Sequence, residues 1–109
     1  MNEQNYELSF GLILHASESK NNSMLAMQKA RKGDYKGAKE LLEKASDELQ
    51  TAHQMQTDLL CEEAKGQNLP FSIILVHAQD HLTMAALTYD WAEELIEWSL
   101  LLKKECLVM

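Results

Sequence analysis

Ile73-Ile74-Leu75-Val76-His77-Ala78-Gln79-Asp80-His81-Leu82-Thr83-Met84-Ala85-Ala86-Leu87-Thr88-Tyr89-Asp90-Trp91 is the stretch on which the reading of the fold turns. It holds no glycine or proline, and its apolar residues recur every three or four positions, the period of an α-helix. At about 100° per residue, Leu75, Ala78, Leu82, Ala85, Tyr89 and, farther on, Ile96 line one side. The opposite side carries Ile73, Val76, Met84, Leu87 and Trp91 and is apolar too. A helix that is apolar on both faces must be covered on both. The rest of a small chain can cover only one of them well, so the second face should bury against another subunit, and closed homo-oligomers are the commonest solution.

Working outward, Gly66-Gln67-Asn68-Leu69-Pro70 marks the break before this helix, with glycine after one helix and proline suited to the first turn of the next. An earlier break falls at Lys32-Gly33-Asp34, where glycine can take the left-handed position that ends a helix and aspartate can cap the following one. Between the breaks, Ala38, Leu41, Leu42, Ala45, Leu49, Ala52, Leu59 and Leu60 sit at helical spacing among Glu, Lys, Asp and Gln. This middle helix would be roughly 45 Å long at about 1.5 Å per residue. The first segment places Leu8, Leu12, Ala16, Ala26, Met27 and Ala30 on a similar stripe, interrupted by the polar run Ser17-Glu18-Ser19-Lys20-Asn21-Asn22-Ser23. These patterns predict an all-α single domain, an antiparallel up-down-up three-helix bundle with helices at about 5–31, 35–65 and 70–104.

Composition narrows the function classes. The 109 residues fit one domain, and 46% hydrophobic with 25% charged residues is ordinary for a globular protein. Seventeen acidic against ten basic residues give a formal net charge of -7, which disfavours nucleic acid as a partner. The two cysteines, Cys61 and Cys106, do not form a disulfide or zinc-knuckle pattern, consistent with a reducing compartment. No apolar run approaches the roughly 18 residues of a membrane span, and residues 1–10 lack the order of a signal peptide. A cytoplasmic protein without direct membrane insertion is the expectation.

His77 and Asp80 lie in the middle of the second apolar stripe, with His81 at its edge. Charges in an apolar interface are costly unless paired or bound to a cation, so the string needs a reason. The plainest reason is local: Asp80 bonds a histidine ring nitrogen and the rest is packing. A zinc site is a second reading, since side chains at i, i+3 and i+4 can converge on a metal, but the string lacks the glutamate of the His-Glu-x-x-His helix and offers no obvious third ligand helix. A histidine nucleophile is a third. Neutral imidazole can attack a phosphoryl group if one ring nitrogen is free and the other is held. The Nδ1 proton of His77 could reach the Ile73 carbonyl one turn back, leaving Nε2 outward, while Gln79, His81 and polar groups of a neighbouring chain stabilise the transferring oxygens.

The string Leu75-Val76-His77-Ala78-Gln79-Asp80-His81-Leu82, preceded by Asn68-Leu69-Pro70, closely resembles the lactose/cellobiose-type IIA component of the bacterial sugar phosphotransferase system. Gly11-Leu12-Ile13-Leu14-His15-Ala16, Gly33-Asp34 and Ala52-His53 extend the resemblance over nearly the whole chain. The resemblance implies a phosphotransferase component that assembles as a homotrimer. It implies that His77 takes a phosphoryl group at Nε2 from the phosphocarrier HPr and passes it to a cysteine of the IIB component during disaccharide uptake, the sugar being of the lactose, cellobiose or diacetylchitobiose class. It further implies that Asp80 meets its two symmetry mates on the threefold axis around one magnesium ion per trimer, and oxygen ligands suit that cation. The chain departs from the family pattern at Thr83-Met84, where methionine before threonine is more usual, and at the polar run, where a glycine-bearing stretch is expected.

The remaining candidates read as structural. His15 and His53 fall on or near core stripes, and buried histidines are usually satisfied by local hydrogen bonds. Met24, Met27, Met55 and Met84 read as gap-filling packing. Trp91 and Trp98 lie about four and six turns from His77, too far to stack on anything bound there. Glu40, Glu43, Asp47 and Glu48 read as a solvated face that could steer a basic partner, and Lys103 and Lys104 suit a helix C-terminus. The competing functional reading is a non-enzymatic helical interaction module in which the histidine string is merely structural.

Overall fold

Gly33 and Gly66 both adopt positive φ, 86° and 85°, and each closes a helix. A computed structural model describes residues 3–66 and 72–108. The chain forms three α-helices, α1 (Glu3–Arg31), α2 (Tyr35–Ala64) and α3 (Ile73–Val108), arranged up-down-up. Their length makes the molecule a rod of 61 × 19 × 19 Å.

The first turn is built as its sequence suggests. Gly33 N–H donates to the Ala30 carbonyl and Asp34 N–H to the Lys29 carbonyl, both at 2.9 Å, the paired bonds of a Schellman C-terminus. The Asp34 carboxylate then accepts from Gly37 N–H at 2.9 Å and caps α2. The next connection falls largely outside the described residues. Pro70 lies outside the described residues, and α3 begins at Ile73, with the Ser72 hydroxyl accepting from Leu75 N–H at 3.2 Å. At its other end α3 continues beyond Lys104 to Val108, and Lys103 lies 5.1 Å from the centroid of the Tyr35 ring.

The core is made of small residues at heptad spacing. On α1 the buried positions are Ser9, Leu12, Ala16, Ser19, Ser23, Ala26 and Ala30, alternating steps of three and four. On α2 they are Ala38, Ala45, Ala52 and Leu59, one per heptad. On α3 they are Ala78, Leu82, Ala85, Ala92 and Ile96. This spacing keeps each stripe facing its neighbours over the whole rod, the geometry of left-handed supercoiled bundles. It also explains the polar run. The run does not interrupt α1, because its Ser19 and Ser23 are small enough to occupy seam positions, and the Ser19 hydroxyl donates to the Ala45 carbonyl on α2 at 2.8 Å. Counting only apolar residues hides that continuity. Leu60 departs in the other direction: Leu59 takes the seam position and Leu60 is 58% exposed.

His15 is structural, as its place beside the core suggests: its Nδ1 lies 2.5 Å from Glu48 Oε2 and ties α1 to α2. His53 is exposed on α2. The Asp34 cap gives a direct check on the α1–α2 connection. Asp34→Ala leaves the α2 N-terminus without its side-chain acceptor and is expected to lower stability by about 1 kcal/mol, read as an earlier midpoint in urea unfolding with unchanged helix content beforehand.

Candidate functional site

Among the described residues, one face of α3 is left largely open. Ile73, Leu87, Trp91 and Trp98 are between 58% and 87% exposed, and Val76, Met84 and Leu95 are exposed beside them. They follow the seam residues of α3 at about half a turn, so the two-faced pattern of the sequence is real: one face is spent on the bundle and the other is open. Asp80 is exposed within this open stripe, and His77 is exposed beside it, one turn into the helix.

His77 and His81 are one helical turn apart and face each other. Their rings are edge-to-face with centroids 4.5 Å apart, and Nε2 of His81 lies 3.0 Å from Nε2 of His77. Nε2 of His77 thus points along the helix to His81 rather than straight outward. His81 reaches back to α1, where its Nδ1 lies 3.3 Å from the Ser17 hydroxyl. Partial burial is the first cause lowering the His81 pKa below its ordinary value of 6.5, and the neighbouring charges of His77 and Lys20 add to it, while Asp80 opposes them. A neutral His81 at pH 7 follows, with one N–H to give and one lone pair to offer.

The other candidate does not join this pair. Gln79 is two residues past His77, about 200° farther round the helix, and its side-chain carbonyl accepts from Gln56 of α2 at 2.5 Å. It braces α3 against α2 on the side away from the histidine pair. Ser17, Lys20 and Gln56 escaped the sequence reading because their spacing along α1 and α2 carries no signal; only the α1–α3 and α2–α3 contacts bring them to the string.

Metal chemistry within one chain finds no support in this arrangement. Among the described residues of a single chain, no three His, Cys, Asp or Glu side chains converge as a metal site. The zinc reading of the string therefore lacks its remaining ligands. Asp80 offers one exposed carboxylate per chain, and any ion it helped to hold would need donors from further copies. Among the described residues, no helix is long and apolar enough to cross a membrane.

Comparison with known proteins bears on this geometry. Residues 7–99 match the family described as "PTS system, Lactose/Cellobiose specific IIA subunit". The chain is 39% identical over 97 residues to the lichenan-specific phosphotransferase enzyme IIA component of Bacillus subtilis (strain 168), covering 89% of this chain and 88% of that protein. The crystal structure of the PTS cellobiose-specific enzyme IIA from Bacillus anthracis superposes with a TM-score of 0.90 at 34% identity, over 95% of this chain and 94% of that one. The IIA(chitobiose) structure solved in complex with HPr, from the N,N'-diacetylchitobiose branch of the Escherichia coli phosphotransferase system, has a TM-score of 0.79 at 32% identity, over 94% of this chain and 99% of that one. A three-helix chain carrying a histidine pair on an open helix face, matched over nearly its whole length by these proteins, belongs to the lactose/cellobiose-specific IIA family and is a component of the phosphotransferase system.

Proposed function

We propose that His77 accepts a phosphoryl group from HPr and passes it to a cysteine of a IIB component in the cytoplasm, during uptake of a disaccharide of the lactose, cellobiose or diacetylchitobiose class. The observation that carries this reading is the His77–His81 pair: an exposed imidazole whose Nε2 stands 3.0 Å from a second, neutral imidazole. The HPr-bound chitobiose IIA, similar over 94% of this chain, supports HPr as the donor. In the step, the lone pair on Nε2 of His77 forms a bond to phosphorus as the bond from phosphorus to the carrier breaks, the carrier keeping that electron pair. Nδ1 of His77 retains its proton. His81 gives up its contact with the lone pair as the phosphoryl group arrives, and its Nε2–H then donates to a phosphoryl oxygen. Transfer to the IIB thiolate reverses the same bonds. Within its own chain Gln79 accepts from Gln56 and braces the helix against α2.

The open face of α3 supports a homotrimer in which three copies of this helix bury Val76, Met84, Leu87 and Trp91 against one another. In that assembly Asp80 is the residue that would hold the divalent cation, with magnesium suited to its oxygen ligands. Such an ion would supply positive charge to offset the Asp80 carboxylates of the three copies.

Incubating the protein with enzyme I, HPr and phosphoenolpyruvate should label His77, located by mass spectrometry at neutral to basic pH, and His77→Ala should abolish the label. A variant still labelled would remove the central claim, and a stable hetero-complex without any phosphate uptake would favour a simple interaction module. Sedimentation should show a trimer, retained without metal in Asp80→Leu; monomers in the unmodified protein would contradict the interface. The histidine pair also has a pH signature. His81, titrated by NMR, should show a midpoint below 6.5, moving up in His77→Ala as one of its depressing charges is lost. Because the unfolded chain takes up this proton first, the His81 contribution is absent above 6.5, disfavours the fold increasingly as pH falls from 6.5 to the lower folded midpoint, and stays at its full size below it.

A further inference from the structure

Lys20 of α1 has no part in the transfer as described so far, yet the fold directs it toward the histidine pair. The Ser17 hydroxyl, 3.3 Å from Nδ1 of His81, marks the flank of α1 that meets α3. His15 and Ser19, bonded to Glu48 and to the Ala45 carbonyl, mark the flank that meets α2. Between the two flanks runs the seam, where Ala16 is fully buried. At about 100° per residue, Lys20 stands about 60° from Ser17 toward Ala16, on the α3 side, while Glu18 stands about 100° from Ser17 in the other direction. Helical side chains lean toward the N-terminus, so the stem of Lys20 runs back over the turn that holds Ser17. Its ammonium is close enough for its positive charge to act on the His81 ring.

Other cations of the chain lie farther off. Among the described residues, α1 carries no other Lys or Arg before Lys29, α2 none after Lys44, and α3 none before Lys103. Nor is Lys20 already matched by a carboxylate. Among the described residues Lys29 pairs with Asp34 at 3.8 Å and Lys65 with Glu62 at 3.9 Å, whereas Lys20 is exposed and enters no ion pair. A phosphoryl group brings roughly two negative charges at neutral pH. Carried on Nε2 of His77, it stands beside the His81 ring, whose Nε2 is 3.0 Å from that atom. Asp80 sets a carboxylate one turn along the same helix, and the chain has a formal net charge of -7, so the added negative charge calls for a cation.

We propose that Lys20 is the charge partner of the phosphoryl group on His77: its ammonium reaches across the α1–α3 contact, pairs with the phosphoryl oxygens beside His81, and stabilises the phosphorylated chain. The inference rests on the reading of His77 as phosphoryl acceptor. Lys20 forms no covalent bond to phosphorus and gives up no proton; it meets with positive charge the negative charge that arrives with the group. A lysine suits this task, because a compact ammonium on a flexible four-carbon stem follows the oxygens as the group arrives and leaves. Without it the phosphorylated chain loses that attraction, and more of the phosphoryl group stays on the donor.

The test compares the unmodified full chain with Lys20→Met and Lys20→Arg, each phosphorylated with enzyme I, HPr and phosphoenolpyruvate. Two quantities are read: the equilibrium share of phosphoryl group between HPr and the chain, and the second ionisation of the bound phosphoryl group, followed by phosphorus NMR against pH. Lys20→Met should keep its helix content and shift the equilibrium toward HPr by about threefold to tenfold, between the worth of an exposed ion pair and that of a charge-assisted hydrogen bond. It should also raise the pH at which the phosphoryl group loses its last proton, because a nearby positive charge favours the doubly charged form. Lys20→Arg, which keeps the charge, should hold both readouts near those of the unmodified chain. A methionine variant with an unchanged equilibrium and an unchanged phosphoryl titration overturns the proposal, even if HPr binds it more weakly, since Lys20 would then be a docking residue. Methionine and arginine variants that are equally impaired also overturn it, the effect then being one of packing. If the unmodified chain takes up no phosphate at His77, the functional reading fails and this inference falls with it, and that control separates the two failures.

Discussion

Close approach of three helices along seams of very small side chains is the constraint on which the rest of this structure depends. Of the buried hydrophobic residues described, nine are alanine and four are larger, Leu12, Leu59, Leu82 and Ile96. Ser9, Ser19 and Ser23 share the α1 seam with them. Each alanine removes little apolar area from water, at roughly 25 cal/mol per Å². The seams therefore set the geometry of the bundle more than they supply its stability. The large apolar side chains stand outside instead. Leu87, Trp91, Leu95, Trp98 and Leu102 are all exposed on α3, and full burial of one such side chain contributes about 1.5–3 kcal/mol. A chain that keeps its small residues inside and its large ones out holds its main reserve of hydrophobic free energy on an open face, where a neighbouring copy can use it.

The same seams place the chemistry. A tight α1–α3 contact brings Ser17 and the charge of Lys20 up to His81, and the i,i+4 spacing of α3 brings His81 to His77. On the other side of α3, the Gln56–Gln79 bond secures the same turn of helix to α2. The turn that carries the histidine pair is thus braced from both neighbours while His77 itself stays exposed. The acceptor role proposed for His77 would be served by such a position, on a rigid helix and at the surface.

Helix periodicity, the glycine and aspartate of the first turn, and the two apolar faces of α3 were all legible in the chain, because each depends on local backbone geometry or on a repeat of side chains along one helix. Leu60 and the Ser17–Ser23 run were misleading for the same reason: hydropathy alone places leucine inside and serine outside. What decided their positions was register: Leu59 takes the seam position on α2 and leaves Leu60 outside, while Ser19 and Ser23 fall on the α1 seam, where the small serine side chain fits and the Ala45 carbonyl accepts from the Ser19 hydroxyl. Gln79 stands beside the histidines in sequence, and two residues along a helix turn its side chain to a different neighbour within the chain, Gln56 of α2.

The sequence by itself determined three helices, an α3 apolar on two faces, and a histidine string whose pattern marks the lactose/cellobiose-specific IIA family, since all of these reside in spacing along one chain. Only the tertiary structure decided which nitrogen of His77 meets His81, that Ser17 completes that line, and that Gln79 turns away from it. The physical reason is distance in the chain. Ser17 and His81 are 64 residues apart with α2 between them, and a hydrogen bond between them exists only after the seams have set how far, and at what register, α1 slides along α3.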